Sequence, residues 1–181
     1  MSLLKKIGLF ACLFVVTSFA VLAQNEDEEE VSKLPNVKIS NLDGDDIDIA
    51  SYGDNKKITV ISFWATWCAP CKKELNSIAE LYDQWQEDYC LEVLAVSTDD
   101  TRSSDKVQAY VDGVGWEYDV LLDANEDLKR ALNIQLVPYT VVVDAEGDII
   151  YEHSGYVKGD EYELEEIIKE IYDETGSECD E

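Results

Sequence analysis

Two cysteines two residues apart stand where an apolar segment gives way to an amphipathic one, and this feature constrains the fold more than any other. The segment Ile58–Trp64 is almost continuously apolar, which is typical of a strand buried on both faces of a parallel sheet. The segment after Cys71 is predicted to be a helix that packs on that sheet, because its apolar residues recur at helical spacing: Leu75, Ile78, Ala79, Tyr82 and Trp85.

This strand-to-helix junction determines the chemistry expected of the two thiols. Cys68 falls at the N-terminus of the predicted helix, where unpaired N–H groups and the positive end of the helix dipole favour an anion. Its thiol is therefore expected to ionise more readily than the thiol of a free cysteine. We predict that Cys68 is the nucleophile of a reversible dithiol/disulfide pair and that Cys71 is the resolving thiol.

The first 23 residues differ in composition from the rest of the chain. Two lysines precede an apolar run over residues 7–22, and Val21 and Ala23 stand at the usual cleavage offsets. We predict a signal peptide over residues 1–23, cleaved after Ala23, and export to a bacterial periplasm, where disulfides persist. The alternatives are an uncleaved membrane anchor facing the periplasm and lipidation of Cys12. Cleavage would remove Cys12 and leave four cysteines in the mature chain.

The spacing of the cysteine pair also occurs in zinc sites, so a metal-binding alternative has to be weighed. The other soft ligands of the mature chain are His153, Cys90 and Cys179, none of them in a second closely spaced pair. Burial as two inert cysteines is disfavoured because Pro70 and the lysines after Cys71 indicate an exposed helix start. We therefore predict a redox pair that needs neither a metal nor an organic cofactor.

The charge of the chain is strongly negative, with a formal net charge of -26 from 40 acidic and 14 basic side chains. Nucleic acids and anionic membrane surfaces are therefore poor partners. A solvated acidic surface is the expectation, and basic protein partners are the alternative. Acidic runs predict a disordered tail over residues 24–34 and a C-terminal tail over residues 176–181, which leaves one domain over residues 35–175.

Strand-like and helix-like segments alternate along that domain, which predicts the α/β class. A hairpin of residues 37–39 and 46–49 comes first, further strands follow at residues 91–96 and 116–122, and a second hairpin joins residues 140–143 to residues 148–151. Three more helix starts are predicted from capping residues, namely Ser103 or Ser104, Asp123 with Glu126, and Asp160 with Glu163.

The run from Phe63 to Leu75, FWATWCAPCKKEL, with Val137 and Pro138 well downstream, resembles the TlpA/ResA-like branch of the thioredoxin superfamily. The similarity covers about residues 35–175 and includes a helix-strand unit over residues 103–122 that plain thioredoxin lacks. It implies a thioredoxin fold, with a central mixed sheet flanked by helices, an N-terminal hairpin and the inserted unit.

The same resemblance implies a cis Pro138 beside the cysteine pair. A cis proline exposes neighbouring backbone groups that can pair with an extended substrate. The implied substrate-binding residues lie around the pair and before the second hairpin: Trp67, Ala69, Pro70, Val137 and Pro138.

The resemblance also points to Glu74, which matches the glutamate of the branch's C-x-x-C-K-K-E run. Plain thioredoxin carries a buried aspartate six residues before its first catalytic cysteine, where this chain has Ser62, and a serine cannot replace that proton acceptor. Glu74 stands one helical turn after Cys71, near enough to affect the proton of that thiol, so we predict a catalytic role. The alternative is a first-turn glutamate that only favours the helix dipole.

Three aromatic residues near the motifs receive separate predictions. His153 is the single histidine, so a Cys-His system would have to use it, but packing on the surface or on an edge strand is the expectation. Trp64 is expected in the core, whereas Trp67, beside Cys68, is expected to line the site.

These features predict an exported thiol-disulfide oxidoreductase. The resemblance implies a reductase of protein disulfides, including those of apocytochromes c before haem attachment, with a membrane thiol-transfer partner as electron donor. We also predict that the protein is a monomer. A DsbA-type oxidase is one alternative, although Ala69 and Pro70 lack the histidine that would strongly stabilise a thiolate. The other is a copper-handling thioredoxin-like protein, which usually has three residues between its cysteines and an added histidine.

A second, structural disulfide is predicted between Cys90 and Cys179. In the inferred fold, Cys90 begins the strand after the active-site helix, at the pole opposite the catalytic pair, and the last helix runs towards that pole. Export permits the bond, and closing so long a loop would stabilise the fold. The alternative is a buried free Cys90 and a frayed tail.

Overall fold

The computed structural model describes residues 32–175, which form a seven-stranded sheet with helices on both faces. The strands are β1 (Lys38–Asn41), β2 (Asp46–Asp48), β3 (Ile58–Trp64), β4 (Leu91–Ser97), β5 (Asp119–Leu122), β6 (Tyr139–Val143) and β7 (Ile149–Ser154). The α-helices are α1 (Ala69–Tyr89), α2 (Ser104–Val114), α3 (Asp127–Ala131) and α4 (Asp160–Thr175), and a 3-10 helix spans Ile49–Gly53.

The sheet is mixed and has the order β2-β1-β5-β4-β3-β6-β7. Strand β4 runs parallel to both β3 and β5, whereas β1, β2, β6 and β7 are joined by antiparallel pairings. All seven residues of β3 are buried, as expected of a central strand that is covered on both faces. The predicted α/β class and thioredoxin fold are thereby confirmed, with the N-terminal hairpin β1-β2 and the inserted α2-β5 unit in place.

Each face of the sheet has its own apolar core. Helices α1, α2 and α4 cover one face, with Ile78, Trp85 and Ile168 buried in that core. The 3-10 helix and α3 cover the other face, where Ile49 and Leu128 are buried. Because both faces are covered, the chemistry of the domain is confined to the sheet edges and the ends of the strands.

Two predicted capping boxes are wrong. Helix α3 begins after Glu126, and Asp123 accepts hydrogen bonds from the backbone N–H groups of Leu128 (3.2 Å) and Lys129 (2.8 Å), deeper in the helix. Asp160 is the first residue of α4, and its carboxylate accepts from the backbone N–H of Val157 at 2.8 Å. Asp123 thus binds N–H groups five and six residues after it, and Asp160 binds an N–H three residues before it, whereas a capping box needs the N–H three residues after the cap.

The cap of α2 and the strand that follows it also differ in part from expectation. Ser103 is the N-cap of α2, but its side chain makes no capping hydrogen bond. Strand β5 spans only Asp119–Leu122 instead of the predicted residues 116–122, and Trp116 and Tyr118 precede it as buried aromatic residues.

The packed part of the chain begins before the expected domain start at residue 35. Leu34 is buried, and the backbone N–H of Ile149 donates to the carbonyl of Ser32 at 2.7 Å. Lys33 also forms an ion pair with Asp148 on the β6-β7 turn, 2.6 Å apart. The predicted signal peptide, the rest of the acidic tail and residues 176–181 lie outside the described residues. Within residues 32–175, no helix has the length and apolar character needed to cross a membrane.

Candidate active site

The cysteine pair lies directly after the carboxyl end of β3, at the start of α1. Cys68 is the N-cap of α1 in an extended backbone conformation, and its sulfur accepts a hydrogen bond from the backbone N–H of Cys71 at 3.3 Å. Pro70 occupies the first turn, where its missing N–H costs no hydrogen bond. The two cysteines form a disulfide with a Cα–Cα distance of 5.4 Å. A helix N-terminus therefore faces the sulfur of Cys68, as the sequence predicts.

The exposure of the pair differs from the expectation of an exposed helix start. Cys68 is only 4% exposed and Cys71 is fully buried, whereas Trp67, Ala69 and Pro70 are exposed around them. The side chain of an N-cap residue turns back towards the N–H groups of the first turn, which draws the sulfur of Cys68 inward. Trp67, 72% exposed, therefore forms the solvent-facing rim beside the buried disulfide.

The Val137–Pro138 peptide bond is cis. Strand β6 begins at the next residue, and Tyr139 pairs with Phe63 near the end of β3. This register brings Pro138 to the same edge of the sheet as the cysteine pair. The carbonyl of Pro138 accepts a hydrogen bond from the backbone N–H of Gly155 at 2.9 Å, which ties this segment to the loop after β7.

Glu74 lies in the interior, one turn after Cys71, and is only 5% exposed. Its carboxylate accepts hydrogen bonds from the hydroxyls of Thr140 (2.5 Å) and Ser62 (3.5 Å), which come from β6 and β3. Burial raises the pKa of Glu74 to about 7, against the opposing effect of these hydrogen bonds. A carboxyl group that changes protonation near neutral pH is suited to exchange protons with a thiol one turn away.

A second carboxylate, Asp99, binds the segment immediately before Cys68, and it was not predicted from the sequence. Asp99 is buried and accepts hydrogen bonds from the backbone N–H and the hydroxyl of Thr66, both at 2.7 Å, and from the hydroxyl of Ser97 at 2.9 Å. The carbonyl of Thr66 accepts from Lys72 Nζ at 2.8 Å. A polar run after a buried parallel strand was the available signal, because strand carboxyl ends gather at one edge.

Aromatic side chains from the inserted α2-β5 unit pack beside the site. Trp64 is fully buried, as predicted, and its ring lies 5.0 Å from that of Trp116 and 5.6 Å from that of Tyr110. Lys72 Nζ lies 5.3 Å from the centre of the Tyr110 ring. Aromatic residues of the inserted unit thus belong to the apolar core beside the cysteine pair, and Tyr110 makes a cation–π contact with Lys72.

The remaining predicted residues are placed as follows. His153 lies on β7, opposite Thr140, and its side chain is 38% exposed. Cys90 is the C-cap of α1 and precedes β4, whose first residue pairs with Ile58 at the end of β3 far from the disulfide. Cys179 lies outside the described residues. No group of three or more His, Cys, Asp or Glu side chains between residues 32 and 175 is arranged to hold a metal ion.

Comparison with known proteins relates this site to disulfide chemistry. The AhpC/TSA family model matches residues 31–152. Thiol-disulfide oxidoreductase ResA of Bacillus thuringiensis subsp. konkukian is 28% identical over 149 residues, which are 81% of this chain and 81% of that protein. A thioredoxin-like protein from Porphyromonas gingivalis is 42% identical, with a TM-score of 0.70 over 78% of this chain and 93% of that structure.

A structure from Chlorobium tepidum described as a thiol:disulfide interchange protein DsbE shares the fold, with 19% identity and a TM-score of 0.69 over 78% of this chain and 96% of its own. The family match covers more than half of the chain, and the alignment with ResA covers 81% of it. The chain therefore belongs to the AhpC/TSA family and is a ResA-like thiol-disulfide oxidoreductase of the thioredoxin superfamily.

Proposed function

We propose that this protein is an exported reductase of protein disulfides in which Cys68 attacks the substrate and Cys71 resolves the mixed disulfide. The unequal setting of the two sulfurs carries this proposal. Cys68 caps the N-terminus of α1 next to exposed Trp67 and Ala69, whereas Cys71 is fully buried inside the helix, one turn from Glu74. This difference supports Cys68 as the sulfur that reacts with a substrate and Cys71 as the sulfur that reacts with Cys68.

The reaction then runs in two exchanges. The thiolate of Cys68 attacks one sulfur of the substrate disulfide, and the other substrate sulfur leaves as a thiolate that takes a proton from water. Cys71 next gives its proton to Glu74 and attacks the Cys68 sulfur. The Cys68–Cys71 bond forms, the bond to the substrate breaks, and the second substrate sulfur leaves. The enzyme loses two electrons and the substrate gains them.

Two features favour reduction over oxidation as the net direction. Strong disulfide oxidants stabilise their reduced form through a thiolate, and the residues between the cysteines, Ala69 and Pro70, contribute no positive charge. In addition, an ionised Glu74 one turn from Cys71 repels a negative charge on the Cys71 sulfur and so disfavours its thiolate form. Both effects make the dithiol a better electron donor.

Export and the partners are proposed from the sequence and from the names of the relatives. The lysines and apolar run of residues 1–23 support a cleaved signal peptide, and a periplasmic reductase needs an electron donor such as a membrane thiol-transfer protein. Substrates are disulfide-bearing proteins, with apocytochromes c as the proposed class. An extended substrate segment would cross the exposed rim of Trp67, Ala69 and Pro70 and approach the backbone of Val137 and Pro138.

A pair of trapping variants tests these roles. Cys71→Ser is expected to accumulate mixed disulfides with substrate proteins, because only the resolving step is lost, and Cys68→Ser is expected to form none. Non-reducing electrophoresis of the tagged variants detects the adducts. Equal trapping by both variants would contradict the assigned roles.

Two further measurements on the wild-type protein test the net direction of disulfide exchange and the copper-handling alternative. Equilibration with glutathione should give a reduction potential near that of thioredoxin, about -270 mV, instead of the value of about -120 mV typical of DsbA. A value near the latter would favour the oxidase. Copper titration of the reduced protein separates the remaining class, since tight binding without insulin-disulfide reduction would indicate a metal carrier.

A further inference from the structure

A small cleft opens beside Glu74, between β7 and the start of α4. It leaves about 20 Å³ for the centre of a water molecule, which is enough for one water. The polar side chains that line the cleft together with Glu74 include those of Thr140, His153, Tyr156, Asp160 and Glu161. The cleft is therefore a polar opening from the buried carboxyl group towards the surface.

Glu74 requires such an opening if it works repeatedly. A carboxyl group that takes the proton of Cys71 has to release it before the next turnover, yet Glu74 is 5% exposed. Its side-chain hydrogen bonds within residues 32–175 come from two hydroxyl groups, those of Thr140 and Ser62. Neither hydroxyl is a base at neutral pH. The proton therefore has to reach an acceptor across the cleft.

His153 is placed to be that acceptor. It is the single histidine of the chain, it lies opposite Thr140 in the β6-β7 register, and it lines the cleft. Its Nε2 lies 3.6 Å from Asp160 Oδ2, and its side chain is 38% exposed, so it touches both the cleft and solvent. Histidine is the side chain whose ordinary protonation equilibrium falls nearest neutral pH, which suits it to relay a proton.

We propose that His153 carries protons between Glu74 and bulk solvent through a water in this cleft, with Asp160 orienting its imidazole. The inference rests on the proposed role of Glu74 in resolving the mixed disulfide. The proton moves from the Glu74 carboxyl group to the water, from the water to the imidazole, and from the imidazole to bulk water. No electrons move in this step, and Glu74 is returned to its carboxylate form.

The other polar groups around the cleft are tyrosines and carboxylates. Tyr151 and Tyr156 have raised pKa values because of burial, so they stay protonated at neutral pH, as does buried Tyr118. The carboxylates of the cleft come from α4, namely Asp160, Glu161 and Glu163. Of these, Glu161 already accepts a hydrogen bond from the hydroxyl of Tyr156 at 2.8 Å.

The test follows release of a chromophoric thiol when the reduced full-length protein meets an aromatic disulfide such as dithionitrobenzoate. A first phase reports attack by Cys68, and a second reports resolution by Cys71. At about pH 6, most Glu74 side chains hold a proton that has to leave first, so His153→Gln should slow the second phase about tenfold in dilute buffer. Added imidazole should restore the rate. The matched control is Glu152→Gln, on the same strand, whose carboxylate accepts from Tyr139 instead of lining the cleft.

Each result is decisive. An unchanged second phase in His153→Gln, or a slow phase that imidazole does not restore, would overturn the relay, because the histidine would then be dispensable or only structural. Loss of the first phase in His153→Gln alone would also overturn it, since the damage would precede proton transfer. Absence of a first phase in the wild-type protein would refute the proposed function itself, so a failure of the relay and a failure of the proposed function are distinguishable.

Discussion

At the scale of single residues, the two buried carboxylates of the site have different tasks. Asp99 accepts three hydrogen bonds and holds Thr66, two residues before Cys68, whereas Glu74 accepts from two hydroxyls and lies one turn after Cys71. Asp99 therefore positions the backbone of the site. Proton transfer is the task that we propose for Glu74.

Asp99→Asn should lower the free energy of unfolding by about 1–3 kcal/mol, because an amide cannot accept all the hydrogen bonds from Thr66 and Ser97. It should also slow disulfide exchange by disturbing the approach to Cys68. Urea unfolding and an insulin-reduction assay measure the two effects. The neighbouring half-buried Asp100, paired with Arg102 on the surface, provides the control Asp100→Asn, which should change neither quantity. Equal effects of the two variants would contradict a positioning role for Asp99.

Glu74 should make the stability of the oxidised protein depend on pH. Its pKa is raised from 4.5 in the unfolded chain to about 7 in the fold, so the folded state binds the proton more tightly. The free energy of unfolding should therefore fall by about 3 kcal/mol as the pH rises through this window. Glu74→Gln should remove this decline, so that the free energy of unfolding of the variant increases relative to that of the wild type as the pH rises. Urea unfolding across the window measures it, and parallel pH profiles would contradict it.

At the scale of elements, the β6-β7 turn is fixed by a close contact with the 3-10 helix. Gly147 has a φ of +82°, and a Cβ there would lie 2.9 Å from Cα and O of Gly53. The turn also supports Asp148, which holds Lys33. The hairpin that carries Pro138 and His153 is thereby anchored at its distal end.

Gly147→Ala should therefore be destabilising for two reasons, a left-handed backbone and a clash with backbone atoms that cannot give way. Gly44→Ala isolates the first, because Gly44 has a φ of +88° with no atom within 4 Å of the added Cβ. We expect Gly147→Ala to lower the free energy of unfolding by at least about 1 kcal/mol more than Gly44→Ala. Urea unfolding of both variants decides this, and equal losses would mean that the clash relaxes.

At the scale of the whole molecule, α1 and α4 pack together and end at the same pole. The rings of Tyr89 and Tyr172 lie 5.9 Å apart, and Cys90 directly follows Tyr89. Cys179 stands four residues beyond Thr175, a length that extended chain covers in at most about 14 Å. This arrangement supports the proposed disulfide between Cys90 and Cys179.

If that disulfide forms, Cys90→Ser and Cys179→Ser should each lower the free energy of unfolding by about 2–5 kcal/mol. The double variant should lose no more than the larger single loss, since both changes break one bond. Mild reduction followed by alkylation should label Cys68 and Cys71 and spare the other two. Labelling of all four thiols in the folded protein would contradict the bond.

Local sequence patterns were sufficient to predict the buried strand Ile58–Trp64, the helix beginning after Cys68, the two hairpins and the α/β class. These follow from periodicity and capping within short windows. The surroundings of Glu74 depend on the tertiary structure. Ser62 and Thr140 face each other across the β3-β6 register and both donate to Glu74, and His153 faces Thr140 from β7 and lines the same cleft. Strand register is a long-range outcome of packing, and one carboxyl group acquires its raised pKa only when that packing removes it from water.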